Sequence, residues 1–556
     1  SNAWAVSGAH TSDGSPIVAN DPHLSYGIPS TWHLVHLKAP GLNVIGAALP
    51  GVPCVITGHN EKIAWGVTNT QVDATDLYSE QLNRQTGRYL FKGNVEQALL
   101  DREIIGVRGQ KPVALNIWVT RHGPILVEQS GKSYALRWTA AGGFVLPFFD
   151  LDRAQNWDQF RSALRDFWGP GQNFIYADRA GNIGYQATGK IPIRRGFSSD
   201  VPLDGSSGNF EWNGFIPFDE MPSIYDPPSG IVATANQSPF PPNYPYEVDG
   251  TFSDPYRITQ IQTRLRAPAK LSVSDMLAVQ KDVYSSYDLF LARQVVAAFD
   301  AKHDNADVLV REAVDALRSW NGQMDKDQAA PLITESLNGL LGRSLVFGLL
   351  RPPAQSAADR GLGSKPQAAQ EKTGGRPKTN VNYEIKARPD MPISILPRPF
   401  IIEKLLRSRP AGWVSKNDWN AWLLTNLSGA LQLDRAKQGS PVSHWKWGRS
   451  LEWKLNHPVG QQLPLVNAYF DIGPIPMSGS GTTVKQTTAT LGPSERMVAD
   501  LGNWDASVQN LTVGESGHVA SRHYRDQWSQ YYIGKSFPME FEKVDAGDIL
   551  RILPIK

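Results

Sequence analysis

Ser1 carries a hydroxyl and a free α-amine on one residue, and acyl transfer can be built from that pair. An α-amine ionises near ~7.7–8.0, so around neutral pH a useful fraction is unprotonated and can accept a proton. A nucleophile with a base beside it is the minimal kit for an acyl-enzyme mechanism. The bland alternative is that Ser1-Asn2-Ala3 is the remnant of tag removal and has no part in the fold.

Other chemistries lack their markers. The single cysteine, Cys54, sits in the apolar run Val52-Pro53-Cys54-Val55-Ile56 and reads as a buried, inert thiol. Zinc sites built on cysteine are excluded, and neither His-Glu-x-x-His nor a Gly-x-x-x-x-Gly-Lys-Ser/Thr phosphate loop occurs. No Gly-x-Ser-x-Gly elbow is present; Gly514-Glu515-Ser516-Gly517-His518 comes nearest and reads as a turn. The first residue is the most economical nucleophile.

The elements that must position it follow from pattern. Short β-rich runs at 4–6, 16–19, 32–37, 44–49 and 63–67 are separated by Gly, Pro, Asn or Asp, and several alternate apolar with polar. Ser12-Asp13-Gly14-Ser15 predicts a hairpin turn between the first two. Further strands are expected at 103–107, 113–119 and 134–138. Helical spacing of Trp157, Phe160, Leu164 and Phe167 predicts a helix over 154–167, with the aromatics as core. Ser272-Val273-Ser274-Asp275 resembles a capping box opening a helix through about Lys281. Helices are expected at 286–299, 306–320, 332–350, 401–407 and 419–438, followed by strands and turns again. The order strands, helices, strands implies an α+β chain whose two β-rich ends share one sheet system. Residues 1–556 are read as a single body. Residues 351–388, rich in Pro, Gly, Ala, Gln and Lys, are read as an exposed insertion or mobile loop.

Composition sets the class. Hydrophobic residues are 41% and charged residues 19% of 556, enough to bury a core. Lys and Arg number 55 against 53 Asp and Glu, so no electrostatic reason points to nucleic acid. No stretch approaches the ~20 consecutive apolar residues of a membrane helix. One cysteine permits no intrachain disulfide, which leaves the compartment open.

Several segments then line up with one family. Ser1-Asn2-Ala3-Trp4, Asn20-Asp21-Pro22-His23-Leu24, Pro50-Gly51-Val52-Pro53 and Gly58-His59-Asn60 come first. Ile63-Ala64-Trp65-Gly66-Val67-Thr68-Asn69, Asp73-Ala74-Thr75-Asp76, Gln172-Asn173-Phe174, Thr234-Ala235-Asn236-Gln237-Ser238 and Asp254-Pro255-Tyr256-Arg257 follow. In this order and spacing the chain resembles the β chain of penicillin acylases and N-acyl-homoserine-lactone acylases, which are N-terminal-nucleophile hydrolases. The resemblance implies a four-layer αββα sandwich with additional helical segments. It also implies autoproteolysis of a precursor, an α chain as heterodimer partner, and a periplasmic or secreted bacterial enzyme.

By that resemblance Ser1 is the nucleophile and its amine the base, working through a water. The backbone N–H of Asn69 and the side-chain amide of Asn236 would hold the oxyanion, donors typically worth ~3–4 kcal/mol each. His23 would hold Ser1 in register, and Arg257 would favour the free amine by lowering its pKa. The acyl pocket would be lined by Leu24, Ile56, Thr57, Val67 and Gln172. Leu24 and Thr57 stand where aromatic-acyl enzymes show phenylalanines, which implies room for fatty-acyl chains. Asp73, Thr75 (through its carbonyl) and Asp76 match calcium ligands of relatives, with Ser199 and Glu247 or Asp249 near further ligand positions. Two carboxylates in a short loop suit a hard cation, and a solvated acidic turn is the alternative. No organic cofactor is expected. The implied activity is an amidohydrolase releasing the acyl group from acyl-homoserine lactones, β-lactams such as penicillin, or both. Such an enzyme would bear on quorum quenching or antibiotic resistance. The alternatives are a cyclic-lipopeptide (aculeacin-type) acylase and a catalytically silent binding protein of the same fold.

Overall fold

The first strand, Asn2–Val6, is buried at every position, and its side chains divide by size between two faces. Ala3 and Ala5 enter one apolar cluster, whereas Trp4 and Val6 enter another, as the two-residue period of a strand requires. The computed structural model describes residues 1–143, 145–267, 270–302, 307–350, 396–463, 465–544, 547 and 549–551. The proposed insertion at 351–388 lies outside the described residues. Contacts divide the chain into two compact units. One comprises 1–289, 320–332 and 445–556, and the other 290–319 and 333–444.

Two antiparallel sheets of the first unit position the site. The first runs in the order Ile231–Thr234, Asn2–Val6, Ile17–Asp21, Glu495–Asp500, Val508–Leu511, Phe537–Pro538. Early and late segments therefore share a sheet, as expected. The second runs Ser223–Tyr225, Ile183–Ala187, Gln172–Asp178, Ile63–Asn69, Thr57–Asn60, Leu42–Ala48, His33–Ala39.

Three apolar clusters set the layers. Ala3, Ala5, Val18, Ala64, Ile175, Ala177, Met497 and Ala499 fill the space between the sheets. Trp4, Val6, Ile17 and Val498 on the outer face of the first sheet pack with Ile258, Ile261, Leu265, Met276 and Val279. Those five belong to the helices Tyr256–Leu265 and Val273–Gln280. Ile63, Trp65, Phe174 and Tyr176 on the far face of the second sheet pack with Phe148, Leu151, Phe160 and Leu164 of the helices Phe148–Arg153 and Trp157–Leu164. Helices, sheet, sheet, helices is the αββα arrangement expected.

Small residues keep the sheets close. A Cβ on Gly66 would stand 2.9 Å from the Asn20 Cβ, so glycine permits the approach. Asn20 uses it to tie the sheets together: its amide nitrogen donates to Asn2 O and Val67 O, and its Oδ1 accepts from Val67 N and Thr57 Oγ1.

Some local expectations change. The first two strands are joined by the whole of residues 7–16, with a 3-10 turn at Gly8–His10, and only Gly14 of the Asp13-Gly14 pair has positive φ. A tight hairpin there is replaced by a longer loop. The helix expected over 154–167 is shorter, Trp157–Leu164, because Asn156 turns out of helical geometry and accepts the Gln159 N–H as an N-cap; a separate helix, Phe148–Arg153, precedes it. Phe167 lies beyond the second helix but stays in the same core. The Ser272/Asp275 capping box is formed in both directions.

The second unit is helical among the described residues. Its helices Ala330–Leu350 and Trp419–Gln438 are joined by Ser336 Oγ donating to Asp434 Oδ1 at 2.8 Å and Trp422 Nε1 to Ser344 Oγ at 2.9 Å. No described helix is long and apolar enough to cross a membrane.

Candidate active site

Ser1 precedes a strand paired on both sides, and the two registers decide what meets it. Asn2 lies opposite Asp21, and Ala3 opposite Thr234. Continuing each antiparallel register by one or two residues brings His23 and Asn236 to Ser1. The second sheet supplies Asn69 at the end of Ile63–Asn69, and Thr68 Oγ1 meets Thr234 Oγ1 across the sheets at 3.1 Å. The helix Tyr256–Leu265 supplies Arg257 in its first turn.

These residues form one hydrogen-bonded set. The Ser1 amine donates to Asn236 Oδ1 at 2.7 Å, and the His23 backbone N–H donates to Ser1 Oγ at 3.0 Å. Arg257 Nη1 donates to Ser1 O at 2.8 Å and to Asn2 Oδ1 at 2.7 Å. Its Nη2 donates to Asn236 Oδ1 at 3.1 Å and to Ser253 Oγ at 2.9 Å. Asn236 Nδ2 donates to Asn69 O at 2.8 Å, so the two residues expected to hold the oxyanion are in contact. Asn236 has φ of 63°, a left-handed geometry that asparagine tolerates better than most residues. Held at both ends of its amide, it has a fixed direction.

Burial and charge tune the groups. Burial first, and then the Arg257 guanidinium, hold the Ser1 amine well below its ordinary 8.0, with Asp21 opposing. The amine is therefore a free base at neutral pH. Burial lowers Arg257 to about 10, which still leaves it cationic. His23 is driven well below its ordinary value by burial, then by the Ser1 amine and Arg257. It is a neutral imidazole whose backbone, not its ring, touches the nucleophile.

Sequence reasoning missed the layer behind these residues. His23 Nε2 lies 2.8 Å from Asp21 Oδ2, and His23 Nδ1 lies 2.9 Å from Gln486 Oε1. Asn2 Nδ2 donates to the same Asp21 oxygen and to Val484 O, both at 2.9 Å. Burial raises Asp21 to about 8, against the pull of the Ser1 amine. The i, i+2 spacing of Asp21 and His23 in extended chain was the available signal, since such residues share a face. Gln486 carried no such signal.

The five expected pocket residues differ in exposure and in neighbours. Leu24 is 36% exposed in the strand His23–Ser25, and Gln172 is half-buried opposite Asn69. Ile56 and Val67 belong to the core beneath Phe148 and Phe174. Thr57 is fully buried, and its hydroxyl donates to Asn20 Oδ1 at 2.8 Å, a bridge between the sheets.

The expected calcium ligands converge, but on a side chain. Thr75 and Asp76 begin the strand Thr75–Glu80 and are not in a loop. Asp76 is buried against Arg194, whose Nε lies 3.0 Å from Asp76 Oδ2, and Arg194 Nη2 donates to Asp73 O at 3.0 Å. Ser199 Oγ donates to Asp73 Oδ2, and its N–H to Asp249 Oδ2; Glu247 accepts from Gly196 N. Among the described residues no group of three or more His, Cys, Asp or Glu is arranged to hold a metal ion.

Comparisons with known proteins give the family and the fold. The family model described as penicillin amidase matches residues 1–546. Penicillin acylase 2 proenzyme from a Pseudomonas species is 30% identical over 95% of this chain and 66% of its own length. Acyl-homoserine lactone acylase QuiP of Pseudomonas aeruginosa is 28% identical over 98% of this chain and 67% of its own. This chain thus spans about two thirds of the length of these relatives. A thermostable penicillin G acylase from Alcaligenes faecalis superposes with a TM-score of 0.72 over the whole of both chains at 22% identity, which shows the shared fold.

Proposed function

Because the chain belongs to the penicillin amidase family, we propose that its enzyme is an amidohydrolase that removes the acyl group from N-acyl small molecules through an acyl-enzyme on Ser1. The observation that carries this reading is the Ser1 pair of groups, with the hydroxyl held by His23 N–H and the amine by Asn236 Oδ1.

The Ser1 hydroxyl attacks the amide carbonyl while its proton passes, through a water, to the amine; direct transfer inside one residue has poor geometry. The Asn69 N–H and Asn236 Nδ2 receive the developing oxyanion. Asn236 Nδ2 has two hydrogens, and its bond to Asn69 O uses one. The C–N bond then breaks, and the proton held by the amine goes to the departing nitrogen. Water attacks the acyl-enzyme, the amine takes its proton, and the ester C–O bond breaks as Ser1 Oγ is reprotonated. Burial and then Arg257 leave the resting amine in its basic form, ready for the proton, and Arg257 also holds the Ser1 carbonyl.

The substrate classes are acyl-homoserine lactones and β-lactams of the penicillin type, after the names of the relatives. Exposed Leu24 beside the site supports an apolar acyl group. The working enzyme is a heterodimer with an α chain released from the same precursor, a reading supported by the proenzyme among the relatives. A periplasmic or secreted location accompanies that scheme, and cell fractionation tests it. The decisive experiment is mass spectrometry after brief exposure to a slow acyl substrate, alongside hydrolysis of a panel of acyl-homoserine lactones and penicillins G and V. An acyl mass on the Ser1 peptide is expected; retained ligand affinity with no adduct and no turnover would refute the proposal.

A further inference from the structure

Arg194 is an arginine almost wholly withdrawn from water, with 1% of its side chain exposed. Pairing around it fixes its place: Ile193 N donates to Gly214 O and Asn213 N to Ile193 O. Its guanidinium is surrounded by the oxygens that the calcium reading assigned to a metal. Nε donates to both Asp76 oxygens, at 3.0 and 3.3 Å, and lies 3.9 Å from Asp249 Oδ2. Nη2 donates to Asp73 O at 3.0 Å and reaches Thr75 O at 3.5 Å. Trp212 Nε1 also donates to Asp76 Oδ2. The side chains of Asp73 and Asp249 are drawn together by Ser199, whose hydroxyl lies 2.9 and 3.2 Å from them.

A hard cation such as calcium needs six to eight oxygens facing one open point. Here the Asp76 carboxylate and the Asp73 carbonyl face nitrogen donors. Arg194 Nη1, buried with no hydrogen-bond partner among the described residues, faces no acceptor and would stand as a second positive charge beside any ion. The donor set does not fit a metal. From this we infer that the Arg194 guanidinium is the resident cation of the Asp73–Asp76 segment, holding by a covalent part of the chain what a bound calcium would otherwise hold. A guanidinium suits this role, because its charge is fixed and its planar fork matches a carboxylate and adjacent carbonyls. The enzyme's stability is therefore independent of divalent metal, whatever substrate Ser1 acts on.

The test uses the full processed enzyme. Elemental analysis after purification without chelator is expected to find no stoichiometric calcium, and melting should shift by less than a degree with EDTA or millimolar calcium. One calcium per enzyme, or a fall in Tm on EDTA treatment, would overturn the inference. Arg194→Ala should lower Tm by roughly 5 °C or more, since a buried pair loses one partner. Calcium, but not equal ionic strength of sodium chloride, should restore part of that loss, because the vacated cage then exposes carboxylates and carbonyls. An Arg194→Ala enzyme as stable as the parent, or one indifferent to calcium, would count against it. Arg194→Lys keeps the charge without the fork and should lose less than Arg194→Ala; should the alanine variant not fold, this variant carries the same calcium comparison.

Discussion

The Ser1 amine and the Arg257 guanidinium share one acceptor: both donate to Asn236 Oδ1, at 2.7 and 3.1 Å. Burial is the first cause of the amine's lowered pKa, and a cation held so close adds to it by disfavouring a second positive charge.

Arg257→Gln should therefore move the acid limb of the kcat/KM profile to higher pH, by about one unit. The sign follows from the electrostatics: removing a cation raises the amine's pKa, so a larger share of the sites is protonated and inactive at a given pH. A pH–rate series on the variant checks this. A lower rate with an unmoved limb would make Arg257 a purely structural anchor.

Asn236→Ala should reduce kcat by ~10²–10³, the range for loss of one oxyanion donor. The amine also loses its acceptor, so some of the effect reflects misplacement of Ser1. Steady-state kinetics on a variant with an unchanged circular dichroism spectrum would show it, and near-normal kcat would remove Asn236 from the chemistry.

Asp21 predicts a pH-dependent stability. Burial raises its carboxyl from 3.8 to about 8 in the folded enzyme. A group raised on folding contributes fully below its unfolded pKa, and that contribution is lost as pH rises through the folded value. Asp21→Asn should then gain on the parent in chemical denaturation between pH 4 and 8, with the gap level above about 8. Parallel pH curves for the two proteins would contradict this.

A second titration lies away from the site. His122 is held between Glu80 Oε1 at 2.7 Å and Glu211 Oε1 at 2.6 Å, and stacks on Tyr78 at 4.0 Å between ring centroids. Burial works against its charge, but the bonds to Glu211 and Glu80 prevail and raise its pKa above 6.5. Its contribution is present below 6.5 and lost as pH rises through the raised value. His122→Gln should be less stable than the parent at pH 6, with the difference shrinking in alkali; thermal melts across pH 6–9 measure it.

What could be read from the sequence divides by distance. The strand Asn2–Val6 and its partner Ile17–Asp21 announce themselves through short β-rich runs bounded by turn residues, and the helix cap at Ser272 through a four-residue motif. Ser1, His23, Asn69, Asn236 and Arg257 are conveyed by the order of motifs in the family. Asp21 and Gln486 are different: Asp21 is signalled only by its i, i+2 spacing from His23, and Gln486 is an ordinary polar residue until the fold brings its loop against His23. Arg194 stands in the sequence only as one of two adjacent arginines, and the fold turns it inward onto Asp76. Thr57 reads as a pocket wall, and the close approach at Gly66 shows what its hydroxyl serves.

The sheet order has a consequence for timing. Ile17–Asp21 lies between Asn2–Val6 and Glu495–Asp500, so the strand beside the nucleophile is completed by a segment far along the chain. Such long-range pairing is slow to form, because closing a large loop must precede its contacts. Asn236 and Arg257 close a shorter loop to reach Ser1, whereas Gln486, which fixes the His23 ring, arrives only with the distant segment. The nucleophile therefore gains its complete surroundings only when widely separated parts of the chain have met.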